Sequence, residues 1–154
     1  MAERRGPAWG RKHRRQCAAL PVTACADRRM VLLVTSRGTR RWVLPKGWAE
    51  PELPPHALAA REAFEEAGVL GAAAEAAIGV YSSRKRMPDG RRTTCHVEVF
   101  TLRVEGFAHV WPEQGQRKAR WFTPEEAAAR VREPGLAILL RRLAGEAAAP
   151  TPVA

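Results

Sequence analysis

Three glutamates lie close together in the sequence, at spacings that could hold a divalent cation. Glu65 and Glu66 follow Glu62 by three and four positions. An α-helix would therefore bring all three carboxylates to one side. Like charges at these spacings destabilise a helix by about 0.2–0.5 kcal/mol per pair. Mg²⁺ would offset that repulsion, because it commonly binds one or two carboxylates together with substrate phosphates. Solvent and salt would also offset it, so the acids alone equally fit a solvated helix face.

A helix over residues 54–67 would position these acids. Proline is tolerated in the first turn of a helix, and Gly68 provides a stop signal. The predicted apolar side, opposite the glutamates, consists of Ala57, Ala60, Phe64 and Ala67.

The loop before this helix extends the pattern. From Gly47 the sequence reads GWAEPELPPHALAAREAFEEAGV, which closely resembles the Nudix box, G-x5-E-x7-R-E-U-x-E-E-x-G-U, where U is aliphatic. One position departs from the box, since Leu53 replaces its first glutamate, and Glu50 or Glu52 could pair with the box arginine instead. The matching residues are Gly47, Arg61, Glu62, Ala63, Glu65, Glu66, Gly68 and Val69.

Membership in the Nudix hydrolase family would imply a fold and a reaction. The fold is an α/β/α sandwich with a mixed β-sheet between helices, and the reaction is metal-dependent hydrolysis of a pyrophosphate linkage by water. By motif position, Glu62 and Glu66 are metal ligands for Mg²⁺ or Mn²⁺, and the backbone carbonyl of Gly47 or Lys46 adds another. Glu65 is the proton acceptor for the attacking water. Arg61 orients Glu62.

Three further stretches, residues 35–47, 84–92 and 117–127, are similar to the branch of diphosphoinositol polyphosphate phosphohydrolases and diadenosine polyphosphate hydrolases. This similarity implies a polyphosphorylated small molecule as substrate. Several phosphates require several cations, and arginine offers bidentate contacts to phosphate. Solvated loops would also account for such basic turns. The candidate substrate-binding residues are Arg37, Arg41, Lys46, Arg84 and Arg117.

Two downstream acids, Glu98 and Glu113, are further candidates for the site. Some relatives in this family use a downstream acid in that way. Exposure to solvent is the simpler expectation for both residues.

The composition fits one globular domain with a basic N-terminal arm. The 154 residues carry a net charge of +10, and half of that excess lies in residues 1–15. We therefore expect a flexible arm at 1–15, a domain at 16–145 and a flexible tail at 146–154. No uncharged apolar stretch approaches the ~18 residues of a membrane span. Three cysteines without C-x-x-C spacing favour a reducing compartment, the cytoplasm, although residues 17–26 also resemble a signal-peptide end.

The remaining elements indicate a mixed α/β domain. Strands are predicted at 16–26, 30–36, 42–44 and 93–104, and another opens at Tyr81. Asp27, Arg28 and Arg29 form a predicted turn, residues 44–55 a loop and residues 84–92 a basic turn. Helices are predicted at 124–133 and 136–145.

Two other functions remain open. The chain could hydrolyse ordinary nucleoside diphosphate or triphosphate derivatives, or it could be a non-catalytic module that binds nucleotide or RNA. Leu53 favours the module, whereas retention of three mutually repelling glutamates argues against it. The sequence carries no groove-reading or base-stacking motif, which disfavours nucleic acid as a partner. The oligomeric state is not specified by the sequence.

Overall fold

The computed structural model describes residues 13–25 and 28–148. They form one mixed sheet of eight strands and three helices. The strands are β1 (His13–Cys25), β2 (Arg28–Thr35), β3 (Trp42–Val43), β4 (Lys46–Trp48), β5 (Val69–Ala73), β6 (Gly79–Arg86), β7 (Arg92–Phe107) and β8 (Ala119–Phe122). The helices are α1 (Pro55–Ala67), α2 (Pro124–Arg130) and α3 (Pro134–Ala148).

Strand β1 is the centre of the sheet. It pairs in parallel with β7 and antiparallel with β2 and with β4. Its apolar residues alternate between two separate cores, with Cys17 and Ala19 in one and Ala18 and Leu20 in the other. Residues 17–20 are buried on both faces of the sheet, which explains why this part of β1 is continuously apolar.

Helices cover both faces of the sheet. Leu58, Ala59 and Ala63 of α1 pack in the core that contains Cys17. Leu136 and Leu140 of α3 pack in the opposite core, together with Ala127 and Ala128 of α2. The predicted α/β/α sandwich with a mixed sheet is therefore confirmed. No helix of the described ranges is long and apolar enough to cross a membrane.

Several strand boundaries differ from the prediction. The last three residues of the predicted arm, His13–Arg15, belong to β1, and residues 1–12 lie outside the described residues. Arg28 and Arg29 are strand residues rather than a turn, while Asp27 is not described. The predicted loop at 44–55 contains β4, because its backbone pairs with β1. Strands β5 and β8 were not predicted, since both are short and their burial depends on pairing with distant strands.

The bounds of the basic turn and of the last two helices also differ from the prediction. The β6 and β7 strands extend into the predicted turn at 84–92, so the connection is only residues 87–91. Helix α2 ends at Arg130, three residues early, and α3 continues past Gly145 to Ala148. Residues 149–154 of the predicted tail lie outside the described residues.

The helix α1 ends before Gly68, as predicted. The face that it buries is, however, rotated about the helix axis relative to the predicted apolar face. Ala57, Ala60 and Phe64 are only partly buried. Glu66 lies within the buried face because Arg117 and the backbone N–H of Lys46, both from distant segments, compensate its carboxyl group. The residues that α1 buries are Leu58, Ala59, Ala63, Glu66 and Ala67.

We expect Gly68→Ala to destabilise the fold by about 2–4 kcal/mol, which combines backbone strain with overpacking. Gly68 has φ 68°, and an added Cβ would lie 2.5 Å from the Trp111 ring. Gly115→Ala is the matched control: its φ is 84° and nothing lies within 4 Å of an added Cβ, so it should cost only about 1 kcal/mol. Urea denaturation measures both; equal losses would show that the Trp111 contact is unimportant.

Candidate active site

Strand β4 holds the backbone of Gly47 directly against the Glu62 carboxyl. Gly47 pairs with Cys17 of β1, which fixes its position in the sheet. A Cβ added at Gly47 would lie 2.5 Å from Cδ of Glu62 and 2.7 Å from Oε1. Real Cβ atoms essentially never approach so closely, so this position requires glycine as long as Glu62 keeps its place.

Glu62 and Glu66 form a pair of carboxyl groups close enough for each to shift the pKa of the other. Glu66 is only 6% exposed and accepts a hydrogen bond from the backbone N–H of Lys46 at 3.3 Å. Burial raises the pKa of Glu66 to about 8, with a further contribution from Glu62. Burial also raises the pKa of Glu62, and neighbouring Glu65 adds to that shift. Two desolvated acids close together are costly unless a cation compensates them.

Arg117 supplies part of that compensation. Its Nε lies 3.6 Å from Glu66 Oε1 and 2.9 Å from Glu113 Oε1. Its Nη1 donates to the carbonyl of Thr35 at the end of β2. Glu113 is half-buried here, and its backbone N–H donates to the Glu65 carbonyl. Arg117 therefore lies among the acids, and the structure does not bring it to the other candidate phosphate contacts.

Arg61 lies among three other glutamates. Two of its guanidinium nitrogens donate to the Glu50 carboxylate, and its Nε lies 3.7 Å from Glu65 Oε2. Its Nη2 is 3.8 Å from Glu62 Oε2. The hydrogen bond to Glu50 raises the pKa of Arg61 and lowers the pKa of Glu50. Glu50 thus pairs with the box arginine, while Leu53 packs against the core beneath α1.

We expect Glu50→Gln to lower turnover by about 10-fold, because losing a positioning partner costs 10–100-fold at metal sites. Glu52→Gln removes the same charge from a nearby exposed residue and should change turnover by less than about 2-fold. The double variant should match Glu50→Gln. Steady-state kinetics measures turnover of all three variants. Unchanged rates in every variant would show that Glu50 has no role at the site.

A basic cavity of about 790 Å³ opens between β6 and the start of α3. Three of the five candidate substrate-binding residues line it: Arg41, Lys46 and Arg84. Four further cationic side chains that were not predicted as substrate contacts also line the cavity, because no local sequence signal separates them from solvated residues. They are Lys85, Arg86, Arg92 and Arg132. We call these seven cations and the space between them the basic cavity.

Lys46 joins the basic cavity to the acids. Its backbone N–H donates to Glu66, and Lys46 also lines the cavity. Burial lowers the pKa of its ammonium, although Glu66 acts in the opposite direction. Arg37, by contrast, is exposed and donates to Gln116, so the structure does not bring it to the cavity. Glu98, the other candidate for a further carboxylate at the site, pairs with Cys17 in the sheet and forms an ion pair with Arg15.

The residues present fit a divalent cation. The described ranges hold no group of three or more His, Cys, Asp and Glu side chains arranged to enclose a metal. Mg²⁺, however, commonly takes only one or two carboxylates and completes its shell with water and phosphate. The neighbouring carboxylates of Glu62 and Glu66, with Glu62 beside the backbone of Gly47, are such a donor set.

Comparison with known proteins decides the family. A family model for the NUDIX domain matches residues 12–143. The chain belongs to the Nudix family. The Nudix fold is also found in solved structures: a NUDIX hydrolase from Nitrosomonas europaea has a TM-score of 0.66 at 24% identity, covering 88% of this chain and 90% of that one. An Ap4A hydrolase from C. elegans has a TM-score of 0.64 at 18% identity, covering 86% and 96%.

Curated Nudix proteins share more sequence with this chain. Nudix hydrolase 12, mitochondrial, from Arabidopsis thaliana is 39% identical over 101 residues, 63% of this chain and 49% of that protein. Diphosphoinositol polyphosphate phosphohydrolase 3-alpha from Mus musculus is 32% identical over 116 residues, 74% and 66% respectively. The predicted branch is therefore represented among the relatives. The chain spans about half the length of the two plant relatives that it matches.

Proposed function

We propose that this Nudix protein is a metal-dependent pyrophosphohydrolase acting on a polyphosphorylated small molecule, a diadenosine polyphosphate or a diphosphoinositol polyphosphate. The observation that carries the proposal is the position of Lys46. Its backbone N–H donates to Glu66, and the same residue lines the basic cavity. A phosphate chain in that cavity would thus end beside the acids.

Glu62 and Glu66, with a backbone carbonyl of Gly47 or Lys46, would hold Mg²⁺ or Mn²⁺. When bound, the ion neutralises charge on the pyrophosphate oxygens and makes phosphorus easier to attack. The seven cations of the basic cavity bind and orient the remaining phosphates.

Glu65 takes the proton of the attacking water. The water oxygen forms a bond to phosphorus, the bridging P–O bond breaks, and the leaving phosphate departs with that electron pair. The side chain of Glu65 is 36% exposed, so water reaches it, and Arg61 Nε lies 3.7 Å away. Arg61 thereby orients both Glu65 and Glu62, and the ion pair with Glu50 fixes the position of the Arg61 guanidinium.

The first test is product release from a panel of substrates, with Mg²⁺, with Mn²⁺ and with EDTA. The panel contains diadenosine tetra-, penta- and hexaphosphate, a diphosphoinositol polyphosphate, nucleoside triphosphates and a nucleotide sugar. Metal-dependent turnover of the first two classes supports the proposal. Turnover confined to the last two would favour the ordinary nucleotide hydrolase instead.

A non-catalytic module that binds RNA is the alternative from another class, and Leu53 is the feature that favours it. The pairing of Glu50 with Arg61 weakens that argument, because the box arginine keeps a carboxylate partner. RNA affinity that falls steeply with salt, without turnover of any compound, would support the module.

For location we propose the cytoplasm, since Cys17 and Cys95 are both free and buried, as suits a reducing compartment. Two Arabidopsis relatives are named mitochondrial. Cell fractionation of the native protein tests this; recovery with mitochondria would contradict it.

A further inference from the structure

Trp48 is an aromatic residue of β4 that lies within cation–π distance of two cations from other strands. The guanidinium carbon of Arg14, on β1, is 5.6 Å from the centroid of the Trp48 ring. Nζ of Lys85, on β6, is 5.5 Å from the same ring. Cations within about 6 Å of a ring centroid are attracted by the negative face of the indole. The proposed reaction gives Trp48 no role.

The register of the sheet brings Trp48 and the basic cavity to the same face. Alternate side chains of a β-strand share a face, so Lys46 and Trp48 lie on one face of β4. The intervening Gly47 position faces the acids instead. Trp48 also pairs with Gln16, which lines the basic cavity and lies two positions after Arg14 on β1. Strand β4 therefore borders the acids on one face and the cavity on the other.

The two cations line two adjoining spaces. Lys85 lines the basic cavity, and Arg14 lines a neighbouring space of about 370 Å³. Arg92 lines both spaces, which joins them. Arg14 and Lys85 are both exposed, so a ligand can reach them. Trp48 lines neither space, so it can affect a ligand only through the residues around it.

An aromatic ring suits this position because it stabilises clustered cations without neutralising them. A carboxylate would also attract the two cations, but it would repel phosphate. The indole attracts them through its quadrupole and carries no net charge. Exposed lysine and arginine side chains lose rotamer freedom when they bind phosphate, and prior contact with a ring removes part of that loss. Arg14 and Lys85 are thus held in place with their charge intact.

We propose that Trp48 is a positioning residue that holds Arg14 and Lys85 in place to bind the phosphates of a ligand. The proposal rests on the proposed function only in taking the basic cavity as the phosphate site. It extends the phosphate-binding surface beyond the seven cations of that cavity, to Arg14 on β1. Trp48 touches no phosphate, and its effect on binding passes through the two cations.

Titration calorimetry with inorganic tripolyphosphate in EDTA tests the proposal without turnover. We expect Trp48→Leu to weaken tripolyphosphate binding by about 5-fold, because the two cations lose their attraction to the ring. Trp121→Leu is the matched control, since that indole packs with the core beneath α1. It should leave the affinity within about 2-fold, as expected for an independent site. Wild-type affinity in Trp48→Leu, or no binding of tripolyphosphate to the wild type, would overturn the proposal.

A double-mutant cycle separates positioning from a purely structural role of the indole. The background carries Arg14→Met and Lys85→Met, which remove both charges and keep the unbranched stems. Adding Trp48→Leu to it should weaken tripolyphosphate binding by less than about 2-fold, because the ring has no cation left to hold. A loss in this background as large as in the wild type would show that Trp48 only supports β4, and would overturn the proposal.

Fluorinated tryptophan tests the same point even if Trp48→Leu fails to fold. Fluorine withdraws negative charge from the ring face and changes the shape of the indole little. Incorporated throughout the wild-type sequence, it should weaken tripolyphosphate binding by about 3-fold, and it should leave binding by Trp48→Phe unchanged. Equal losses in both chains would overturn the proposal. Failure of the proposed function would appear separately, as absence of turnover across the substrate panel.

Discussion

Glu66→Gln should remove metal-dependent hydrolysis while leaving the metal-free protein as stable as the wild type. Glutamine keeps the size of the side chain and an oxygen that accepts from the Lys46 N–H. It removes a buried ionisable group close to Glu62, and Arg117 retains Glu113 as a partner. We expect kcat/KM to fall by at least about 100-fold, since even the outer partners of metal ligands are worth 10–100-fold.

Thermal unfolding with and without Mg²⁺ separates this role from a structural one. The wild type should gain stability with Mg²⁺, because a ligand that binds only the folded state stabilises it. Glu66→Gln should lose most of that gain. Glu65→Gln is the matched control: it should keep the gain yet lower kcat by about 10²–10⁴-fold, as loss of a general base does. A full Mg²⁺ response in Glu66→Gln would contradict its assignment as a ligand.

Gly47→Ala should lower kcat/KM by about 100-fold with little loss of stability. The added methyl would collide with the Glu62 carboxyl and push it away. Displacement of a catalytic group by about 1 Å can cost 10²-fold in rate. The collision involves the end of a flexible side chain, so the fold can relax at small cost.

Gly106→Ala is the control, because nothing lies within 4 Å of a Cβ added at that strand glycine. Its kinetics should match the wild type within about 2-fold. Wild-type turnover in Gly47→Ala would mean that Glu62 does not work from the position seen here.

The sequence predicts the α1 helix and its acids well because both depend on local spacing. Prolines, a terminal glycine and glutamates three or four positions apart determine that helix without reference to the rest of the chain. The burial of Glu66 could not be read in this way. It depends on Arg117, which is 51 positions away in the sequence, and on the backbone of Lys46.

The basic cavity shows the same limit. Arg41, Lys46 and Arg84 could be selected as phosphate contacts from their neighbours, but Arg37 and Arg117 fit the same pattern and lie elsewhere. Strand β4 was missed because its residues, Lys-Gly-Trp, have no strand periodicity. Only pairing with β1 makes them a strand.

The central position of β1 has a consequence for the order of folding. Residues 13–22 of β1 each pair with a β7 residue 81 positions later, as Cys17 does with Glu98. Parallel pairing over such a separation is slow, because a long loop must close before any contact forms. During synthesis the apolar CAAL segment therefore emerges long before its partner strand exists. Until then its apolar residues and unpaired backbone are exposed and can aggregate with other chains. We therefore expect this protein to depend on chaperones more than its size suggests.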